Sequence, residues 1–378
     1  VQAGAVSGGQ GSVAYLVPGG SAAAVRLLAN ALRQGLAIKS SDLAFTHAGT
    51  RYPAGTLILE TVNNPANLRD IMIELAEVTG ADVTAVDDSW VTDGPNFGSG
   101  NVVRVNRPNV ALLWDEPTSS YSAGNTRFVI ERQFDYPVTA IRVATLSRAD
   151  LSRYHVLIMP EAYPGYGSAL DEEIVAKLKD WVERGGVLIG IGNATRSLAD
   201  PDVDLLSIRR ENAVVDVDEP ATSGEDGEES EEPTVDGTYV TSADEYQALI
   251  TAEEGSPDSV AGILARASVD PDHWLGAGVS PTLNVLVRGP DIYTPIRLDK
   301  GVNVAAFEAT DELLASGYLW EENRRQLAYK PFAVVQPTGR GFVIAFTQDP
   351  NVRAYLDGLN VIFMNAIFRG AAHARPVR

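Results

Sequence analysis

The chain has 378 residues, 45% of them hydrophobic, a formal net charge of −20 and no cysteine. A chain of this length and apolar content forms two or three globular domains with substantial cores. It excludes disulfides, thiolate catalysis and cysteine-ligated zinc. No apolar run approaches the roughly 18 residues of a membrane span, and the acidic balance lacks the basic stripe that nucleic-acid binding needs.

The first hundred residues read as a small α/β unit. Residues 13–17 form an apolar strand. Gly19-Gly20-Ser21 then opens a helix whose Val25, Leu28, Ala29 and Leu32 share one face, and Gly35 ends it. Short strands are expected at 37–39, 44–46 and 56–59. Asn64-Pro65 signals a helix start, with Leu68, Ile71, Met72 and Leu75 as its buried stripe and Gly80 as its stop. A strand follows at 83–86. Residues 87–108, rich in Gly, Pro, Asn and Asp, read as a linker or long loop.

From Asn109 the pattern becomes regular strand–helix alternation. Strands are expected at 110–114, 139–144, 156–159 and 187–191, with helices at 125–134 and 171–184. Gly165-Tyr166-Gly167-Ser168 is a turn whose Ser168 serves as helix cap. Such alternation predicts a parallel sheet covered by helices on both faces. It breaks near Pro201. Between Glu211 and Ala265 there are 16 acidic residues and no Lys or Arg, leaving −4 for the rest of the chain. The acidity therefore belongs to one insertion, and residues 216–236, with ten acidic side chains, are expected to be a mobile solvated loop. The calcium ladder D-x-[DN]-x-[DN]-G is absent from it. Ser242-Ala243-Asp244-Glu245 is a capping box. Strands return at 282–287, 302–307, 332–336 and 342–346, before a last helix at 352–368.

The expected fold class is thus α/β. A small N-terminal α/β domain covers 1–105. A mostly parallel, doubly wound, flavodoxin-like sheet domain covers 106–378, with an insertion at about 205–280.

Parallel sheets bind ligands beyond the carboxyl ends of their strands. Four positions there form a candidate pocket: Asn193, Glu116, Glu161 and Asp349. Gly190-Ile191-Gly192-Asn193 ends the strand at 187–191 in a glycine-tight turn. Class I glutamine amidotransferase-like folds and α/β-hydrolases hold a nucleophile at such a turn. Here the position carries Asn193, whose amide cannot attack a carbonyl. Asp115-Glu116, Glu161 and Gln348-Asp349 follow neighbouring strands. They supply general acid–base chemistry, or else they cap helices and satisfy backbone donors. His47, His155, His273 and His373 show no metal-site spacing, so structural roles, no metal and no cofactor are expected. Asn193-Ala194-Thr195 matches a glycosylation sequon but occupies the tight turn, and is read as chance.

Three stretches carry a family resemblance. They are Arg51-Tyr52-Pro53-Ala54-Gly55-Thr56; Arg148-Ala149-Asp150-Leu151-Ser152-Arg153-Tyr154-His155 with the strand after it; and Asp349-Pro350-Asn351-Val352-Arg353-Ala354-Tyr355 with Asn365-Ala366-Ile367-Phe368. Together they resemble the C-terminal region of large bacterial zinc carboxypeptidases of the carboxypeptidase A superfamily. That region is similar to a class I glutamine amidotransferase-like domain preceded by a small α/β segment. The resemblance implies a non-catalytic accessory region, a peptidase domain of the same parent chain as partner, and an extracellular or periplasmic location. The family's zinc ligands, an HxxE pair and a later histidine, match nothing here, so no catalytic residue is carried over. The alternative is a ligand-binding module with a degenerate amidotransferase-like pocket.

Overall fold

A computed structural model describes residues 3–214, 242–243 and 256–375. The acidic stretch 216–236 and most of the capping-box helix lie outside the described residues. Among those described, no helix is long and apolar enough to cross a membrane.

The N-terminal strands are β1 (Val6–Gly8), β2 (Ala14–Val17), β3 (Ile38–Ser41), β4 (Phe45–His47), β5 (Thr50–Tyr52), β6 (Leu57–Glu60), β7 (Val83–Val86), β8 (Val91–Asp93) and β9 (Val102–Val105). Six form a sheet in the order β1-β7-β2-β6-β3-β9, and β5-β4-β8 form a small second one. Residues 87–108 therefore hold two strands rather than a loop. Their apolar runs are too short to stand out, and pairing with β4 and β3 fixes them. Helix α1 (Ala22–Arg33) is capped by Ser21, whose hydroxyl accepts from Ala24 N at 3.0 Å. Helix α2 is Leu68–Thr79. Asn64 does not cap it. Its amide instead bonds both backbone groups of Ala37 and the carbonyl of Glu60.

The largest sheet has ten strands. Its first half is parallel: β10 (Val110–Trp114), β11 (Thr139–Arg142), β12 (Val156–Met159), β13 (Val187–Ile191) and β19 (Gly341–Phe346), in the order β11-β10-β12-β13-β19. The other half is antiparallel: β18 (Pro331–Thr338), β16 (Val302–Phe307), β14 (Val260–Val269) and β15 (Thr282–Gly289), with β17 (Leu314–Ser316) on β14. The sheet is therefore mixed, not mostly parallel. The stretch 205–280 is not wholly an excursion, because it supplies β14 in the antiparallel half.

Both faces of the parallel half are covered. Val110, Leu112, Val156, Ile158, Val187 and Ile189 join one buried cluster with α1, α2 and the C-terminal helix Asp357–His373. Ala111, Leu113, Leu157, Met159 and Leu188 alternate into the other. There they meet Ile174, Val175, Leu178, Trp181 and Val182 of α4 (Glu172–Glu183). This alternation, period two on two apolar faces, is why such strands read as continuous hydrophobic runs. Asp171, not Ser168, caps α4, accepting from Ile174 N at 2.8 Å.

Two helix boundaries differ from the sequence expectation. Helix α3 begins earlier, at Ser120–Phe128 capped by Ser119, and runs into a π turn at Val129–Gln133. The last helix starts later, at Asp357, because Arg353 and Ala354 have left-handed dihedrals of φ 51° and 52°. That helix also ties the two sheets together. Buried Arg369 donates to Asp42 Oδ1 at 2.6 Å, to Ser41 O at 3.1 Å and to Ser40 Oγ.

Candidate functional site

The parallel register places the carboxyl ends of β10, β12, β13 and β19 side by side. Asp115-Glu116, Glu161, Gly192-Asn193 and Gln348-Asp349 therefore leave the sheet at one rim. Between β13 and α5 (Ala194–Leu198), the left-handed residue is Gly192, at φ +55°. A Cβ on it would lie 2.4 Å from Glu161 Oε1, so only glycine lets the carboxylate settle there.

Asn193 itself has ordinary helical dihedrals, φ −71° and ψ −9°. Its amide makes no cap for α5. It accepts from Ala162 N at 2.8 Å and donates to Ala162 O at 2.7 Å, so it replaces a missing strand partner for the segment that carries Glu161. The residue at the turn is a clamp.

Glu161 and Asp349 come together beneath this clamp. Ser122, buried on α3, links them: its hydroxyl donates to Asp349 Oδ2 at 2.8 Å and accepts from Glu161 N at 3.2 Å. Asp349 Oδ1 accepts from Asn351 N at 2.8 Å. Asp349 is only 3% exposed, and burial raises its pKa against the pull of these donors. The Glu161 side chain is 14% exposed. Burial, then the Asp349 charge, push it up to about 7, with Asp291 adding and Arg288 opposing. Arg288 Nη2 reaches Glu161 Oε2 only at 3.9 Å, too far for a hydrogen bond. The Glu161 charge in turn is the first cause of a raised Tyr163 pKa.

Glu116 stands apart. It is exposed and lines a separate cleft with Trp114 and Tyr163, and no hydrogen bond or ion pair to its side chain forms among the described residues. The structure thus brings Asn193, Glu161 and Asp349 together and leaves Glu116 at the edge. Sequence reading missed Ser122, Arg288 and Tyr121. Ser122 sits in the polar run Ser119-Ser120-Tyr121-Ser122 directly after β10, a legible signal. Arg288 comes from β15 in the antiparallel half, and no local pattern announces it.

The histidines are occupied elsewhere. His155 Nδ1 accepts from Asn109 N at 3.0 Å, and His273 Nδ1 accepts from Leu275 N at 3.1 Å. His47 meets Asp88, and His373 meets Asp42 while stacking on Trp274. Among the described residues no group of three or more His, Cys, Asp or Glu is placed to hold a metal.

No family model matches the sequence, and no curated protein matches it. Solved structures with partial likeness include a ThuA-like protein from Parabacteroides merdae, with TM-score 0.44 and 10% identity, covering 72% of this chain and 92% of that one. A GMP synthase component from Thermoplasma acidophilum gives TM-score 0.39 and 11% identity, covering 69% of this chain and 96% of that one. A β-galactosidase from Bacillus circulans gives TM-score 0.38 and 11% identity over 71% of this chain, which spans 31% of the enzyme's length.

Proposed function

We propose that this chain is a non-catalytic accessory module, resembling the class I glutamine amidotransferase-like region of secreted zinc carboxypeptidases, that positions a peptidase domain of the same parent chain outside the cytoplasm. The observation that carries the non-catalytic reading is the Asn193 clamp. At the turn where related folds hold a nucleophile, the side chain has both its donor and its acceptor committed to Ala162. The Ser122 hydroxyl, which donates to Asp349 and accepts from the Glu161 backbone N–H, is committed in the same way. A nucleophile needs a free reacting atom and a base aimed at it, and this arrangement offers neither. The stretches behind the family resemblance support a scaffold role. Tyr52 stacks on Phe45 in the core, Asn351 Nδ2 donates to Thr126, and Asn365 donates to the carbonyls of Leu275 and Ala277. The test is incubation of the intact chain with zinc and with free and C-terminally blocked peptides. No cleavage is expected. Cleavage abolished by a chelator, and lost in His155→Ala or His273→Ala, would overturn the reading.

A second reading, a ligand-binding rim, is favoured by one observation. Tyr121, Tyr163 and Tyr355 are exposed around Arg288 and Glu161. Tyrosine, apolar along its ring and polar at its tip, is enriched at interfaces.

A further inference from the structure

We propose that the open cleft lined by Tyr121, Leu286, Arg288, Val352, Arg353 and Tyr355 binds a monocarboxylate carried on an apolar body. The inference rests on the reading of the rim as a binding surface. Its occupant is argued from two guanidinium groups that the protein leaves without close carboxylates.

Arg288 is held in place by two contacts. Its backbone N–H donates to Gln348 Oε1 at 3.0 Å, and its guanidinium lies 5.9 Å from the centre of the Tyr121 ring. The side chain is 40% exposed, and its one acidic neighbour within 4 Å, Glu161, is at 3.9 Å. Arg353 is exposed, and its side chain has no hydrogen bond or ion pair among the described residues. It is presented by backbone that ordinary residues avoid: Arg353 and Ala354 are consecutive left-handed positions. The segment is pinned there by Asn351, whose N–H binds Asp349 and whose carbonyl accepts from Ala354 N at 3.0 Å. Strain of this kind persists where the surroundings enforce it, and it clusters at ligand sites.

The cleft thus carries two guanidinium groups, one without an ion pair among the described residues and the other no closer than 3.9 Å to a carboxylate. Elsewhere Arg210 pairs with Asp291 at 2.6 Å and Arg369 with Asp42 at 2.6 Å. The planar fork of arginine matches the two oxygens of a carboxylate. Tyr121, Tyr355, Leu286 and Val352 supply apolar walls for whatever bears the carboxylate. A cation is disfavoured by the two arginines. A phosphate dianion is disfavoured relative to a monocarboxylate by the Glu161 carboxyl group beside Arg288, which opposes each added negative charge. The cleft volume, about 480 Å³, suits a ligand the size of an acylated amino acid.

The test is calorimetric titration of the intact chain at pH 7 with N-acetyl-L-phenylalanine, its amide and inorganic phosphate. The acid should bind saturably, the amide about 10-fold or more weakly, and phosphate more weakly than the acid. Arg353→Gln, an exposed position, should weaken the acid about 10-fold without changing thermal stability, and Arg288→Gln should do at least as much. Equal binding of acid and amide, no binding of either, tighter binding of phosphate, or an indifferent Arg353→Gln would each overturn the assignment. Conversion of the amide to the acid would instead overturn the non-catalytic reading and leave the cleft assignment standing.

Discussion

Arg369 with Asp42, and Glu161 with Asp349, are both clusters of ionisable groups taken out of water, but they are built in opposite ways. In the first, a side chain 4% exposed finds a carboxylate at 2.6 Å and two further oxygen acceptors. Every donor it aims at the N-terminal layer is answered, and the result is a joint between two sheets. In the second, two carboxyl groups share one buried corner, the Ser122 hydroxyl donates to Asp349 Oδ2 and accepts from the Glu161 backbone N–H, and the Arg288 guanidinium comes no closer than 3.9 Å to Glu161 Oε2. Burial alone does not mark a site. Burial beside a like charge, with its cation at 3.9 Å, is a stronger pointer, because it pushes the Glu161 pKa up to about 7.

The largest effect should come from breaking the joint. Arg369→Ala leaves Asp42 without its cation and Ser40 and Ser41 without their donor. A stability loss of about 3–5 kcal/mol is expected by chemical denaturation. Replacing both partners, Arg369→Met with Asp42→Leu, should recover most of it, since an apolar pair carries no desolvation penalty. A single variant within about 0.5 kcal/mol of the parent would show that the joint is ornamental.

Next in size is the clamp. Asn193→Ala strands the N–H and C=O of buried Ala162. Each lost partner costs about 1–3 kcal/mol, so the variant should be clearly less stable, with faster amide exchange at residues 161–163. Unchanged exchange there would mean that the clamp does not position Glu161.

The smallest effects are in the pH dependence, where two groups pull in opposite directions. Glu161 is raised from 4.5 to about 7, so the folded state holds its proton more tightly than the unfolded state. Its contribution is complete below about 4.5 and is lost as pH rises through about 7. Glu161→Gln should therefore be more stable than the parent at pH 8 and close to it at pH 5. His273 is lowered from 6.5 to about 4, chiefly by burial, so its contribution is present above about 6.5 and lost as pH falls toward 4. His273→Gln should flatten only the acid limb. A parent whose stability rises between pH 5 and 8, with Glu161→Gln indistinguishable from it, would contradict the Glu161 assignment.

Much of the fold is legible in the sequence, for identifiable reasons. The inner parallel strands β10, β12 and β13 announce themselves because both their faces are buried and their residues are apolar or glycine, whereas the edge strand β11 is mostly exposed. The glycine turn after β13 and the carboxylates at the strand ends follow from the same rule. What the chain does not reveal depends on distance or on short elements. Three- and four-residue strands such as β8 and β9 carry too few residues for a period to show. β14 follows a long acidic stretch that masks its alternation, and Arg288 arrives from a strand about 130 residues downstream of Glu161 in a part of the sheet whose antiparallel order no local pattern sets. Asn193 is legible as the residue at the turn. Its dihedrals and its hold on Ala162 depend on a neighbouring loop that only the fold brings close.

The central claim is that this rim is non-catalytic. The most direct measurement is product release from a panel of fluorogenic amides and esters by the intact chain at pH 7, beside Glu161→Gln and a buffer blank. The account predicts the same rate in all three. A rate above the blank that falls in Glu161→Gln would show that the carboxyl group poised near neutral pH is a working acid or base, and would contradict it.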